Sequence, residues 1–328
     1  MIVWLQFSLC AAVILFAGKR LSVYGDMIAD RTGLGRAWIG VMLMASVTSL
    51  PELITGISSV QIYDVPDIAV GDILGSCMFN ILIISLLDIM DRRRPVLSHT
   101  HQGQILTAAF GILLLGLVAM SFQIVDRIPL IGWIGISSLG FVFVYLISIR
   151  TIFVYEKNRM ESENPTDEVH EISNPKLYYM YGINALLVIA SATYLPHMGE
   201  EISRTTGLGH TFVGSLFIAF TTSLPEIVVS VSAMRIGAAD MAVGNLMGSN
   251  LFNIGILAVD DLFYTKGALF NEVTASHQIT AIAAMMMTTI AIAGLIFRSE
   301  TKRWFMSGAA ISIAVVYLVA TFILAAVQ

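Results

Sequence analysis

The sequence predicts an all-α polytopic membrane protein, with ten transmembrane helices arranged as two inverted five-helix repeats. Three observations predict it. Of the 328 residues, 56% are hydrophobic and only 12% charged, with a mean hydropathy of +0.81; soluble domains carry roughly twice that charged share. The apolar residues fall in runs of about 20, the length that crosses a bilayer as a helix, not in the short alternating segments of a membrane barrel. Finally, the phrase Thr48-Ser49-Leu50-Pro51-Glu52 recurs as Thr222-Ser223-Leu224-Pro225-Glu226, each time inside an apolar stretch that would normally exclude both proline and carboxylate.

In chain order, the first span covers about 1–18. It lacks a basic stretch ahead of it, and Lys19-Arg20 follow it, the charge order of a retained helix and not of a cleaved signal peptide. Spans at about 37–61, 67–88, 102–121 and 128–149 complete a first half, residues 1–150. The segment 151–176 is the one extended polar stretch, with Glu156, Lys157, Arg159, Glu161, Glu163, Asp167, Glu168 and Glu171 between apolar flanks and Pro165 and Pro175 within it. It reads as a linker whose acids keep it solvated rather than sense calcium. Spans at about 177–196, 210–235, 239–260, 276–297 and 304–327 form the second half, residues 177–328. Spans 1 and 6 have room to run longer and tilt.

Basic residues orient the chain. With the termini taken as one side, only Arg127, Arg204 and Lys266 of the 18 Lys and Arg fall there. By the positive-inside rule both termini are outside the cell membrane and the linker is cytoplasmic.

The repeat extends beyond the opening phrase. Gly33-Leu34-Gly35 matches Gly207-Leu208-Gly209, and Gly40 matches Gly214; one residue of offset is then lost. Val70-Gly71-Asp72 matches Val243-Gly244-Asn245, Gly75-Ser76 matches Gly248-Ser249, and Phe79-Asn80 matches Phe252-Asn253. A unit of five spans inserts its second copy upside down, a frequent transporter plan.

The chemistry of the repeated residues points to a cation. Pro51 has no amide hydrogen for the carbonyl of Val47, nor Pro225 for that of Thr221, and a carbonyl freed in hydrocarbon needs another partner. Glu52 and Glu226 follow directly, with Ser49 and Ser223 three residues earlier on nearly the same face. Asp72, Ser76 and Asn80 are spaced as one helical stripe, as are Asn245, Ser249 and Asn253. Gly71, Gly75, Gly244 and Gly248 flank the stripes and allow close helix approach. Oxygen-only ligands of this kind suit hard cations. A charged carboxylate at the bilayer centre costs roughly 3 kcal/mol or more and usually marks an ion path. Single hydroxyls and asparagines have ordinary structural uses in membrane helices; a glutamate in each repeat, within the same phrase, does not.

Other side chains carry less. Cys10 and Cys77 sit in apolar runs and read as small buried residues. His99, His101, His170, His197, His210 and His277 lie in or near expected loops and read as solvated or interfacial. The sequence holds no nucleotide-binding loop, no nucleophile with a positioned base and no nucleic-acid patch. The reading is therefore a transporter and not an enzyme, without cofactor, nucleotide, nucleic acid or obligate protein partner, working in the lipid bilayer on ion gradients.

With Gly-Ser-Cys-Met-Phe-Asn at 75–80 and Gly-Ser-Asn-Leu-Phe-Asn at 248–253, the two TSLPE phrases resemble the alpha-repeats of the sodium/calcium exchanger family, in its short prokaryotic form. The resemblance implies ten helices, termini outside, and two helices (spans 1 and 6) sliding against the other eight. It implies that Glu52 and Glu226 are carboxylates shared by Ca2+ and Na+, and that the carbonyls of Thr48 and Thr222 add Ca2+ ligands. Ser49, Ser76, Ser223 and Ser249, with the carbonyls of Ala45 and Ala219, would complete flanking Na+ sites, and Asn80 and Asn253 would close the middle. Val47 and Thr221 stand where the family phrase often has glycine. Asn253 stands where potassium-dependent members carry aspartate, which argues against a potassium site. The proton-coupled branch has a different phrase, which favours sodium; Asp72, where an asparagine is expected, would add proton sensitivity. The resulting expectation is Na+/Ca2+ antiport, with H+/Ca2+ antiport on the same residues as the alternative. A passive channel would need a continuous pore, and a scaffold would leave the paired glutamates unexplained.

Overall fold

The computed structural model of the chain describes residues 2–32, 45–91, 94–124, 130–163, 175–235, 237–299, 301–302 and 305–327. Nearly all of it is helix. The first half contains α1 (Ile2–Thr32), α2 (Ala45–Thr48), α3 (Leu50–Ser58), α4 (Pro66–Met90), α5 (Gly103–Ser121) and α6 (Ile136–Glu163). The second contains α7 (Pro175–Thr206), α8 (His210–Val213), α9 (Ala219–Thr222), α10 (Leu224–Arg235), α11 (Ala239–Phe263), α12 (His277–Phe297) and α13 (Gly308–Val327). Wide π-helical turns at Ser59–Tyr63 and Gly214–Ile218 extend α3 and join α8 to α9.

Among the described residues, seven helices are long and apolar enough to cross a membrane, and the bent pair His210–Thr222 with Leu224–Arg235 makes an eighth. The second expected span begins in residues outside those described. The sixth is a continuous 32-residue helix, but Asn184, His197, Glu200 and Glu201 dilute its apolar run. The helix of the first span, whose apolar part is Ile2–Arg20, continues to Thr32. Two boundaries need correction. The fifth span starts at Ile136, because Leu130–Ile131 pairs with Ile134–Gly135 in a small hairpin turned at Gly132, which holds φ +69. The same helix runs through Glu163, so the start of the polar linker is helical.

α4 and α11 cross at the centre, surrounded by α5, α6, α12 and α13. Both central helices are apolar on almost every face and buried on almost every face, as a fully enclosed helix must be. Glycine lets α4 pack closely on the π-helical turn of the second half: a Cβ at Gly75 would collide with the backbone of Ser215, and one at Gly214 would lie 2.9 Å from the carbonyl oxygen of Ile68. α1 lies along α7 and otherwise touches mainly the broken helices. The apolar contacts of this pair form clusters of their own. Phe7 and Ile14 pack with Leu195, Met198 and Ile202, joined by Ile68 at the start of α4 and by Val213 and Ile218, and Ala17 packs with Val188; both clusters are separate from the main core.

Carboxylates near the helix ends tie the elements together in matched fashion. Asp88 accepts from the amide of Val96 at 2.9 Å and from that of Ser307 at 2.7 Å, just before α13. Asp261 accepts from Leu269 at 2.6 Å and from Gly135 at 3.0 Å, just before α6. Asp67 accepts from the amide of Thr274 at 2.8 Å, and Asp240 from that of His101. These bonds satisfy amides that a helix start leaves without a partner. One histidine departs from the solvated reading: His277 is fully buried, its Nε2 2.9 Å from Asp67 Oδ1, because a carboxylate from the opposite half of the chain reaches it.

Candidate ion site

Each TSLPE phrase breaks its helix at the serine. Ser49 takes φ −85, ψ 12 between α2 and α3, and Ser223 takes φ −81, ψ 6 between α9 and α10. The cause is local: a proline two residues on cannot donate back, and it disfavours helical geometry before it. The second break bends the chain by 45°. Each break turns the hydroxyls and the following glutamate inward, between α4 and α11.

The two halves exchange partners there. Ser49 Oγ donates to Glu226 Oε1 at 3.2 Å, and Ser223 Oγ lies 3.3 Å from Glu52 Oε1. Thr48 Oγ1 is 3.4 Å from Ser249 Oγ, and Thr222 Oγ1 is 3.4 Å from Ser76 Oγ. Ser249 Oγ lies 3.3 Å from Glu226 Oε1, and Ser223 Oγ 3.0 Å from Ser76 Oγ. Thr222 Oγ1 also donates to Asp72 Oδ1 at 2.7 Å. Glu52, Glu226, Asp72, Thr48, Thr222, Ser49, Ser223, Ser76, Ser249, Asn80 and Asn253 are all fully buried.

Oxygens in this cluster are left over. Glu52 Oε2, Glu226 Oε2 and Asp72 Oδ2 have no hydrogen-bond partner; elsewhere on α4 and α11, Asn80 Oδ1 and Asn253 Oδ1 and Nδ2 have none either. An unsatisfied buried acceptor costs about 1–3 kcal/mol, and the cost is largest for a carboxylate. A hard cation would satisfy such a set, since every free acceptor is oxygen. Among the described residues no three His, Cys, Asp or Glu stand close enough to share a metal ion, so a cation here would also need hydroxyl, amide or carbonyl oxygen.

The expected carbonyls at Ala45 and Ala219 are occupied. Ala45 O accepts from the Ser49 amide at 2.9 Å and the Thr48 hydroxyl at 3.2 Å; Ala219 O accepts from Ser223 at 3.0 Å and Thr222 at 3.3 Å. An ion at either would have to replace a hydroxyl. One participant went unread in the sequence. Asn250 receives the Asn80 amide at 3.0 Å and donates to the carbonyl of Cys77 at 3.1 Å, linking α4 to α11. The available signal was the mismatch of Asn250 with Cys77 inside motifs that otherwise differ only by Met78 against Leu251.

Comparison with known proteins covers nearly the whole chain. The sodium/calcium exchanger protein family matches residues 2–154 and 176–323. An uncharacterized membrane protein of Methanocaldococcus jannaschii is 28% identical over 269 residues, which is 80% of this chain and 83% of the relative. Among solved structures, the sodium-calcium exchanger NCX_Mj, soaked with zero Na+ and Ca2+, is similar with a TM-score of 0.61 at 21% identity, over 98% of this chain and 99% of its own. The H+/Ca2+ exchanger CAX is similar with a TM-score of 0.72 at 12% identity, over 99% of this chain and 85% of its own. At these identities the structural likeness is one of fold.

Proposed function

Because the chain belongs to the sodium/calcium exchanger family, we propose that it is a secondary antiporter that exchanges Na+ for Ca2+ by alternating access at a midplane site between its two broken helices. In this reading the membrane protein has ten spans in two inverted halves, 1–150 and 177–328, a cytoplasmic linker at 151–176, and both termini outside. The matched helix breaks and the matched aspartate bonds of Asp88 with Asp261 support the repeat.

The observation that carries the ion site is the crossed bonding of the two glutamates. Each has one oxygen held by a serine of the opposite half and one oxygen free. Two ionised glutamates balance one Ca2+ in charge, and the carbonyls of Thr48 and Thr222 would add neutral ligands. The hydroxyls of Ser49, Ser76, Ser223 and Ser249 would turn to Na+, joined by Ala45 and Ala219 as their hydroxyl donors release them. Asn80 and Asn253 offer free amide oxygens between the two halves. Because both loads use the same carboxylates, their binding is competitive. The empty, doubly charged site crosses poorly because its charges would be desolvated. An exchange of three Na+ for one Ca2+ would move one net charge, worth about 2.3 kcal/mol per 100 mV.

One observation favours H+/Ca2+ antiport as the second reading: Asp72 is a third buried carboxyl, hydrogen-bonded to Thr222 in the same cluster. Uptake of 45Ca2+ into proteoliposomes separates the two, with Na+ and H+ gradients imposed one at a time at clamped potential. A Na+ gradient is expected to drive uptake, and Glu52→Gln or Glu226→Gln to abolish it. Uptake driven by H+ alone would overturn the sodium assignment. Full activity in either glutamine variant would overturn the site.

A further inference from the structure

α4 and α11 meet at a pair of matched positions that hold different residues. In the internal repeat Cys77 matches Asn250, and Asn80 matches Asn253. Asn250 Nδ2 donates to the carbonyl of Cys77 at 3.1 Å, and Cys77 Sγ lies 4.0 Å from the carbonyl of Asn250. Each side chain therefore serves the backbone of the opposite half. All four residues are buried.

A third bond has no counterpart. Asn80 Nδ2 donates to Asn250 Oδ1 at 3.0 Å. Its equivalent in the repeat would run from Asn253 to the side chain of Cys77, and a thiol sulfur accepts only weakly. Neither polar atom of the Asn253 side chain has a hydrogen-bond partner.

The direction of the amides follows from one acceptor. A backbone carbonyl can only accept, so the nitrogen of Asn250 faces Cys77 and its oxygen faces Asn80. Asn80 must then offer its nitrogen, which turns its own oxygen away from Asn250. That oxygen is buried without a partner. Asn80 stands one helical turn beyond Ser76 on the same face of α4, and Ser76 Oγ lies 3.0 Å from Ser223 Oγ among the hydroxyls of the site. An amide oxygen suits a hard cation. Held in one orientation it binds at little ordering cost, whereas an amide free to rotate must first be ordered.

We propose that Asn250 is a positioning residue for the ion site: it locks Asn80 with its oxygen available to the cation, while Cys77, at the matching place, leaves Asn253 unlocked. The two middle amides are then unequal ligands, Asn80 preorganised and Asn253 ordered only by the ion. Asn250 is not itself a ligand, since both its polar atoms are engaged. The inference rests on the reading of the Glu52 and Glu226 cluster, with Asn80 and Asn253, as the Ca2+ site.

Equilibrium 45Ca2+ binding to the full chain in detergent tests this through a double-mutant cycle. Asn250→Leu should weaken binding by about tenfold, as loss of one ordering hydrogen bond does. In an Asn80→Ala chain, which has no amide left to position, the same change should weaken it less than about twofold. Equal losses in both backgrounds would mean that Asn250 acts through packing alone, and no loss in the unaltered background that it positions nothing; either overturns the proposal. Cys77→Asn should tighten binding by about threefold, and Asn253→Ala should cancel that gain. A folded Cys77→Asn chain that binds no more tightly would overturn the inequality of the two amides. Should that variant fail to fold, the single changes decide: Asn80→Ala should weaken binding more than Asn253→Ala, and equal losses would overturn the inequality. Glu52→Gln separates the proposal from the reading beneath it. Normal binding in that variant, with the coupling of Asn250 to Asn80 intact, would sink the glutamate site and leave the positioning standing. Abolished binding in that variant, with the coupling absent from the unaltered chain, would sink the positioning and leave the site.

Discussion

At the scale of single residues, the site is built from short side chains that cross between halves. Ser49 reaches Glu226, and Ser223 reaches Glu52, so each glutamate is oriented by the repeat to which it does not belong. A hydrogen bond to a charged group contributes about 1.5–3 kcal/mol, and one that fixes a ligand oxygen should appear in affinity. Ser49→Ala and Ser223→Ala should each raise the Ca2+ concentration for half-maximal uptake by roughly tenfold. The two effects should be similar in size, because the distances are nearly equal. Concentration-dependent 45Ca2+ uptake by each variant measures this. Two unchanged variants would mean that the hydroxyls serve only their own backbone.

At the scale of elements, packed ends matter as much as long apolar runs. Asp88 and Asp261 each hold two amides at the starts of other segments. Removing either leaves those amides buried and unpaired. Asp88→Ala and Asp261→Ala are each expected to cost about 2–4 kcal/mol, seen as an earlier thermal midpoint in detergent; a loss below about 0.5 kcal/mol would show that water replaces the carboxylate. These two residues also show where the sequence stops being legible. The helices could be read because bilayer thickness fixes their length, and the glutamates because a costly residue occurred twice in one phrase. Asp88 and Asp261 also match between repeats, but at the edge of an apolar run a carboxylate passes for an interfacial charge. The reading of His277 as solvated or interfacial missed its burial because its partner Asp67 is 210 residues away. The burial of Asp260 was silent for a similar reason: it packs against Gly56, an unremarkable glycine until α3 and α11 are brought together.

At the scale of the whole molecule, alternating access needs a part that moves and a part that does not. The division of the apolar contacts supplies one. α4, α5, α11, α12 and α13 share a continuous core, whereas α1 and α7 pack on each other, on the broken helices and on Ile68 at the start of α4 through smaller, separate clusters. Both members of the pair have a glycine at a close contact with the rest of the molecule, Gly18 against the broken helix α10 and Gly199 against the start of α4 and the turn before α9. A Cβ at Gly18 on α1 would lie 2.6 Å from Pro225 Cγ, and one at Gly199 on α7 would lie 3.0 Å from Ile68 and 3.3 Å from Ile218. Such smooth contacts allow packed helices to slide by small displacements. A branched side chain at either point would lock one arrangement by overpacking, without touching the ion ligands. Gly18→Val and Gly199→Val should therefore slow Na+-driven 45Ca2+ exchange at least tenfold, while equilibrium Ca2+ binding in detergent changes less than about twofold; the gap between the two measurements is the signature of a blocked movement. If both variants exchange at the unaltered rate, α1 and α7 are not the moving pair. If exchange and binding fall together, the valines have reached the site itself, and the sliding contact lies elsewhere on the two helices.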